Sequence, residues 1–312
     1  MKILFMGTPD FARESLKALY ESGDEIVAAV TQPDKPKGRG YKLCPCAVKI
    51  YAEEKKIPVY QPDTLKGEEF SSLLKSLSPD LIVVVSYGKL LPENVLEFPK
   101  YGCINVHGSL LPKYRGAAPI QRAIINGESM TGITTMYMEK GLDTGDMLQK
   151  TEVEISDNDN FETLHDKLAL CGAQTLLSTI KSLKAGTLSP SKQNDGEATY
   201  AAKIEKNDCL IDFSKSPREI FNLVRGLSPL PLAFTHTPDG NILKVVSCEC
   251  EKTDNMQVGV APGTVISLDG GICVACEGGS VKILEVIPQG KGRMSAQDFV
   301  RGRKISVGDI FK

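Results

Sequence analysis

Apolar runs of strand length alternate with amphipathic segments through the first half of the chain. The segments between the runs have apolar positions three and four residues apart, which predicts helices. The predicted strands are KILFMG, EIVAAVTQ, IPVYQP, DLIVVVSYG, CINVHG and GITTMYM. The continuous β-branched run DLIVVVSYG is typical of a central strand that is buried on both faces. Strands separated by helices predict a mostly parallel, doubly wound sheet, so we expect an α/β domain over residues 1–188.

The pattern changes after a long helical segment that begins near Asn160. The polar, turn-rich stretch TLSPSKQNDGEATY predicts a linker over residues 189–206. One helical stretch, PREIFNLVRGL, and short strand candidates separated by Gly and Asp turns follow it: ILKVVSCECE, GTVISL, GICVACE and SVKILEVI. This pattern predicts a second domain over residues 207–312, built as a small β-barrel.

The composition of the chain restricts the possible classes of protein but does not indicate a function. The chain has 312 residues, which supports two domains, and its net charge of −2 gives no global sign of nucleic-acid binding. We find no signal-peptide pattern and no apolar run near the roughly 20 residues of a membrane span, so we expect a cytoplasmic protein with reduced thiols. The cysteine pairs CEC and CVAC lie in predicted strands, which favours a place in the core over a metal site.

Two polar side chains stand near the end of the predicted strand CINVHG. Asn105 and His107 are two residues apart, so they share one face of the strand. Ligands bind at the carboxyl ends of strands in sheets of this kind. An asparagine amide can donate to a developing oxyanion, and a histidine can move a proton near neutral pH. From these two residues alone, a catalytic role and a purely local hydrogen-bonding role are equally good interpretations.

A carboxylate that could serve the histidine comes after the next predicted strand. The segment EKGLDTGDM supplies Asp143 and Asp146 among the glycines Gly141 and Gly145. A carboxylate beside an imidazole orients the ring and favours its charged form, and the glycines permit close approach. The alternative interpretation is a solvated turn, which is the commoner role of such a loop.

Several familiar catalytic motifs are missing from the sequence. The chain has no G-x-G-x-x-G after its first strand, no G-x-x-x-x-G-K-[ST] and no H-E-x-x-H. This argues against a dinucleotide enzyme, a P-loop nucleotide hydrolase and a zinc hydrolase. Since the chain also offers no good nucleophile, the remaining interpretation is acyl transfer in which a substrate supplies the attacking group.

The segments NVHGSLLPKYRGAAPIQRAIINGE and GLDTGDM together resemble the folate-dependent formyltransferases, which use an Asn, a His and an Asp in this order. The segments ILFMGTPDFA, TQPDKPKGRGYKL and ATYAAKI narrow the resemblance to the branch of that family that acts on methionyl-tRNA. The likeness extends over essentially the whole chain. The central motif alone also fits members that act on a sugar amine or a nucleotide amine, and members of the formyltetrahydrofolate dehydrogenase type.

The resemblance implies an enzyme that transfers the formyl group of 10-formyltetrahydrofolate to initiator methionyl-tRNA, with a Rossmann-like first domain and an OB-like second domain that contacts tRNA. It implies the catalytic set Asn105, His107 and Asp143. The donor-binding residues that it implies are Ser109, Leu110, Leu111, Pro112, Tyr87 and Gly88. It also implies that the loop PDKPKGRGYK contacts the acceptor stem of the tRNA through Arg39.

Two local clusters of basic residues fit a nucleic-acid acceptor. One lies in the loop PDKPKGRGYK, and the other in QGKGRMSAQDFVRGRK near the end of the chain. Such clusters hold phosphates without reading bases, although a solvated face is the commoner role of any one basic run. The tRNA-binding candidates are Arg39, Lys37, Lys42, Lys206, Arg301 and Arg303. We expect a monomer that uses neither a metal nor a membrane; a non-catalytic tRNA-binding module is the alternative from another class.

Overall fold

The structure is a computed structural model that describes residues 1–37, 42–251, 260–302 and 305–312; of Lys37 and Lys42 it describes the backbone. The chain forms two compact units. The first unit comprises Met1–Pro119, Met130–Glu154 and His165–Ala201. The second unit comprises Ile120–Ser129, Ile155–Leu164 and Ala202–Lys312.

The described residues of the first unit form eleven strands, seven of which make up its main sheet. In chain order the strands are β1 (Lys2–Gly7), β2 (Glu25–Val30), β3 (Lys35–Lys37), β4 (Lys42–Cys44), β5 (Val59–Tyr60), β6 (Leu81–Val85), β7 (Cys103–His107), β8 (Arg115–Gly116), β9 (Met130–Tyr137), β10 (Met147–Glu154) and β11 (Tyr200–Ala201). The main sheet has the order β10-β9-β7-β6-β1-β2-β5.

The main sheet is parallel over most of its width. Strands β5, β2, β1, β6 and β7 pair in parallel, and β9 and β10 pair antiparallel beyond β7. All five residues of β6 are buried, as the continuous β-branched run predicts. The predicted doubly wound, mostly parallel sheet is therefore confirmed.

Eight α-helices complete the described secondary structure, with short 3-10 helices at Asp195–Glu197 and Lys206–Cys209. The α-helices are α1 (Asp10–Glu21), α2 (Ala47–Glu54), α3 (Glu68–Leu77), α4 (Glu93–Leu96), α5 (Pro119–Ile125), α6 (Phe161–Lys184), α7 (Pro217–Leu227) and α8 (Ala296–Arg301). In α1 the predicted apolar face is buried through Phe11, Leu16 and Leu19. No helix in the described part of the chain is long and apolar enough to span a membrane.

The second unit is built on an antiparallel sheet. Its strands are β12 (Ala233–His236), β13 (Ile242–Glu251), β14 (Val265–Ser267), β15 (Ile272–Cys276), β16 (Gly279–Pro288) and β17 (Met294–Ser295), paired in the order β12-β13-β16-β15-β14 with β17 beside β16. The four predicted strands and the predicted helix α7 are confirmed. Helix α7 begins at a capping box in which Ser216 and Glu219 satisfy each other's backbone N–H groups.

Three local expectations need correction. The segment Met147–Glu154 was not predicted as a strand; it forms β10 at the edge of the sheet, where most of its side chains are partly or fully exposed and weaken the apolar signal. The segment PDKPKGRGYK was expected to be a loop, but Lys35–Lys37 pairs with Lys42–Cys44 as β3 and β4. Cys250 was interpreted as a core residue and is exposed, because it lies one residue from the end of β13.

The other cysteines of the two pairs lie in the core of the second unit. Cys248, Cys273 and Cys276 are buried. Burial raises the pKa of Cys273 to about 11 and that of Cys276 to about 12, which keeps both thiols protonated near neutral pH. A buried, protonated thiol behaves as a small apolar side chain, as the sequence indicated for these three.

Candidate active site

Strand β7 carries the two polar side chains that the sequence analysis singled out. It lies between β6 and β9, with Asn105 opposite Met136 and His107 opposite Thr134. Asn105 is partly exposed, and its side chain makes no hydrogen bond within the described part of the chain. Because the two residues are two apart in a regular strand, their side chains project from the same face. The carboxamide is therefore available to a bound molecule.

His107, by contrast, is buried and held in place. Its side chain is 6% exposed, and its Nε2 atom lies 2.9 Å from the carbonyl oxygen of Tyr114. Since a carbonyl oxygen only accepts, Nε2 carries a hydrogen and donates it. Nδ1 lies 3.6 Å from Oδ2 of Asp143, which is longer than a hydrogen bond. Nδ1 is thus the ring atom that remains available for proton transfer or for a contact with substrate.

Asp143 lies on the loop between β9 and β10, in an unusual backbone conformation. Its φ is +53°, in the left-handed region that non-glycine residues seldom adopt. Its Oδ2 atom accepts a hydrogen bond of 2.8 Å from the backbone N–H of Gly116. A Cβ atom on Gly145 would lie 1.9 Å from the carbonyl oxygen of Tyr137, so the expectation that this glycine permits close approach is confirmed.

The segment after β7 is fixed by buried hydrogen bonds. Ser109 Oγ donates to the carbonyl oxygen of Lys113 at 2.6 Å. Thr134 Oγ1 donates to the carbonyl oxygen of Ser109 at 2.7 Å and accepts from the backbone N–H of Leu111 at 3.1 Å. The predicted donor-binding residues Ser109, Leu111 and Pro112 are buried here, whereas Leu110 is partly exposed. Leu110 is therefore the side chain of this segment that a ligand can reach.

Tyr87 and Gly88 follow β6, at the neighbouring strand end. Tyr87 is 2% exposed and packs in a core cluster with Leu4 and Met6; burial raises the pKa of its hydroxyl to about 12. Gly88 is exposed, with φ +84° and open space where a side chain would stand. Of this pair, Gly88 presents the accessible surface.

Two residues without an assigned role in the sequence analysis join this site. Gln193 Nε2 donates to the carbonyl oxygens of Asp143 and Gly145, each at 2.8 Å. Its Oε1 atom accepts from Arg115 Nε at 3.0 Å and from Arg115 Nη2 at 2.8 Å. The sequence analysis assigned Gln193 to a linker. Arg115 lies inside the segment that carries the family resemblance, but no function was assigned to it. The charged residue Arg115, a few positions after Asn105 and His107, was the one available signal.

The predicted tRNA-binding residues are described in part. Arg39 and Arg303 lie outside the described residues, and Lys37 and Lys42 are described as the facing ends of the β3–β4 hairpin. Lys206 is exposed on a 3-10 helix. Arg301 is 76% exposed and pairs with Asp298 Oδ1 at 3.1 Å.

The second basic cluster is weaker than its sequence suggests. Arg293 pairs with Glu285 Oε2 at 2.5 Å, and Glu285 lies outside the basic run from which the cluster was inferred.

The described part of the chain contains no group of three side chains suited to hold a metal ion.

Comparison with known proteins identifies relatives over the full length of the chain. A family model described as formyl transferase matches residues 1–180, and one described as formyl transferase, C-terminal domain, matches residues 203–304. A methionyl-tRNA formyltransferase of Geobacter metallireducens is 48% identical over 99% of this chain and 97% of its own length. A protein of the same name from Caldanaerobacter subterraneus subsp. tengcongensis is 49% identical over 100% of both chains.

One solved structure adds support for the fold. HypX from Aquifex aeolicus, crystallised with tetrahydrofolic acid, matches with a TM-score of 0.66 at 16% identity over 96% of this chain. The match covers 47% of that protein, so this chain spans about half its length.

Proposed function

The chain belongs to the formyl transferase family, in the branch whose members are named methionyl-tRNA formyltransferase, and we propose that it transfers a formyl group from 10-formyltetrahydrofolate to the α-amino group of initiator methionyl-tRNA. The observation that carries the proposal is the arrangement on β7. Asn105 offers a carboxamide to which no described residue hydrogen-bonds, on the same face as a histidine whose ring is fixed beside Asp143.

The reaction needs an attacking amine, an oxyanion stabiliser and a route for one proton. The neutral amine of the acceptor attacks the formyl carbon, and a C–N bond forms as the carbonyl oxygen becomes negative. The bond from this carbon to the folate nitrogen then breaks, and the proton from the amine ends on that nitrogen. An α-amino group has a pKa of about 8, so a useful fraction is neutral at cellular pH.

The three polar side chains divide these tasks. The Nδ2 group of Asn105 and an Nδ1–H group of His107 donate to the oxyanion, because both have hydrogen-bonding capacity that none of the described residues uses. Asp143 stabilises the charged imidazole across the 3.6 Å gap. His107, or a water held by Asp143, moves the proton from the amine to the departing nitrogen.

The donor binds against the accessible surface of two strand ends. Gly88 offers open backbone after β6, and Leu110 offers an apolar side chain after β7. The buried residues Tyr87, Leu111 and Pro112 shape the wall from behind. A folate combines a flat polar ring with apolar carbon groups, and exposed backbone beside an apolar side chain fits both features.

The acceptor is held through its phosphates. The positive charge comes from the basic residues of the segment PDKPKGRGYK, which are Lys37, Arg39 and Lys42, and from Lys206, Arg301 and Arg303. Contacts between basic side chains and phosphates fix the position of the tRNA, and they weaken as the salt concentration rises. We further propose that the enzyme acts as a monomer in the cytoplasm.

The proposal is tested by a formyl-transfer assay with one donor and several acceptors. Wild-type enzyme is given 10-formyltetrahydrofolate with initiator methionyl-tRNA, elongator methionyl-tRNA or an amino-sugar nucleotide. We expect turnover with the initiator tRNA and on the order of a hundredfold loss in the Asn105→Ala variant, because one oxyanion donor is removed. Asn94→Ala, which changes an exposed asparagine bonded to Ser71, is the matched control.

Two outcomes contradict the proposal. Turnover with the amino-sugar nucleotide and none with either tRNA assigns a different acceptor. Binding of tRNA without any formyl transfer reduces the chain to a tRNA-binding module.

A further inference from the structure

The segment Ser191–Ala201, which we call the brace, is bonded to both loops that carry the candidate site. Ser191 and Met147 exchange two backbone hydrogen bonds of 2.8 and 2.9 Å just after the Asp143 loop. Thr199 Oγ1 accepts from the backbone N–H of Tyr114 at 2.9 Å, next to the carbonyl group that holds His107. The brace, which the sequence indicated as a linker, is therefore part of the structure that surrounds the site.

Gln193 is the residue of the brace that bears directly on Asp143. Its two amide hydrogens go to the carbonyl oxygens of Asp143 and Gly145, on either side of Thr144. Asp143 has φ +53°, in the left-handed region, which aspartate adopts more readily than most residues with a Cβ atom and which neighbouring groups can enforce. The amide group supplies that enforcement through two short hydrogen bonds.

Arg115 fixes which way the amide of Gln193 points. The arginine is 2% exposed, and its guanidinium gives two hydrogen bonds to Oε1 of Gln193 and one of 2.7 Å to Oδ1 of Asp195. Because the guanidinium can only donate, Oε1 must face it and Nε2 must face the loop.

We propose that Gln193 is a positioning residue that holds Asp143 at its working distance from His107. The proposal rests on the proposed function, because it assigns to Gln193 an effect on formyl transfer that passes through Asp143. A side chain in the chain's apparent linker thereby determines the geometry of the catalytic carboxylate.

The variant Gln193→Glu removes the donor on which this role depends. Glutamate keeps the size of the side chain and the acceptor for Arg115, but it replaces the NH2 group that binds both loop carbonyls. Asn194→Asp is the matched control, since it makes the same change on the next residue, where the lost donor serves the exposed Glu197. Gln193→Met, which loses the donor without adding a charge, provides a second variant if Gln193→Glu fails to fold.

We expect Gln193→Glu to lower kcat by about tenfold or more through misplacement of Asp143, with the KM values of both substrates close to wild type. Asn194→Asp should retain the wild-type kcat. In an Asp143→Asn background, Gln193→Glu should cause little further loss, because residues that act through one group are not additive. A full further loss in that background, or an unchanged kcat, overturns the proposal.

A second measurement does not depend on activity. The chain has three histidines, so the imidazole NMR signals of His107, His165 and His236 can be followed separately. Gln193→Glu and Asp143→Asn should both alter the signals of His107 and spare the other two. If the wild type fails to formylate methionyl-tRNA while this pattern appears, the proposed function fails and the positioning role stands. If the signals of His107 do not change, the positioning role is wrong.

Discussion

Replacing Asp143 by asparagine removes the charge that faces His107 while preserving the shape of the side chain. Two unit charges 3.6 Å apart interact by about 5 kcal/mol at an effective dielectric constant of about 20. This is a ceiling, because both groups also give up hydration in the folded protein. We therefore expect Asp143→Asn to lower the rate of the chemical step by about 10²- to 10³-fold, which corresponds to roughly 3–4 kcal/mol.

The assay is a single-turnover measurement of formyl transfer with enzyme in excess over initiator methionyl-tRNA. This format reports the chemical step apart from product release. Asp146→Asn is the control, because Asp146 lies in the same loop and its side chain makes no hydrogen bond or ion pair within the described residues. Equal rates for wild type and Asp143→Asn would refute the electrostatic argument, and equal losses in both variants would show that the loop, not the charge, matters.

Three further predictions concern the loop and the second unit. Gly145→Ala places a Cβ atom 1.9 Å from a carbonyl oxygen of β9, so we expect the free energy of unfolding to fall by about 1–3 kcal/mol, seen as a lower melting temperature, and kcat to fall as well. Ser216→Ala removes the cap of α7 and should cost about 1 kcal/mol in denaturant unfolding. The backbone N–H of Glu205, with Arg122, lowers the pKa of Asp208 below 3.8, so its contribution is present above that pH and lost at lower pH. The stability difference between wild type and Asp208→Asn, measured by chemical denaturation, should therefore shrink as acid is added and not grow.

The sequence predicts a strand or helix most clearly where the side chains of that element are fully buried. The run Leu81–Val85 is buried on both faces and stands out in the sequence as β-branched residues without interruption. The antiparallel direction of β9 and the presence of β10 were not predicted, because direction depends on the route of the connecting chain and β10 is an exposed edge strand. Local patterns report buried side chains, so they reveal neither the direction of a strand nor a strand whose side chains are mostly exposed.

The candidate site, like the fold, was predicted from local sequence patterns only in part. Asn105 and His107 are two residues apart, so strand geometry alone brings them together. The contact of His107 with Asp143 joins residues separated by a whole strand, and it was predicted through resemblance to a family. Gln193 was missed because its hydrogen bonds reach carbonyl groups 48 and 50 residues away, and backbone carbonyls carry no sequence signal.

The contrast between Asn105 and His107 explains why the site needs so many supporting contacts. A carboxamide can donate a hydrogen bond to an oxyanion without being held in one rotamer. An imidazole that moves a proton needs one nitrogen fixed by a hydrogen bond, so that the other nitrogen exchanges the proton. The carbonyl group of Tyr114 accepts that hydrogen bond, and Tyr114 is itself held by Thr199 of the brace. Asp143 is held by Gly116 and Gln193. Substitutions of Gln193 and Thr199, the brace residues that make these contacts, should therefore act on proton transfer, which His107 performs, more strongly than on the binding of either substrate.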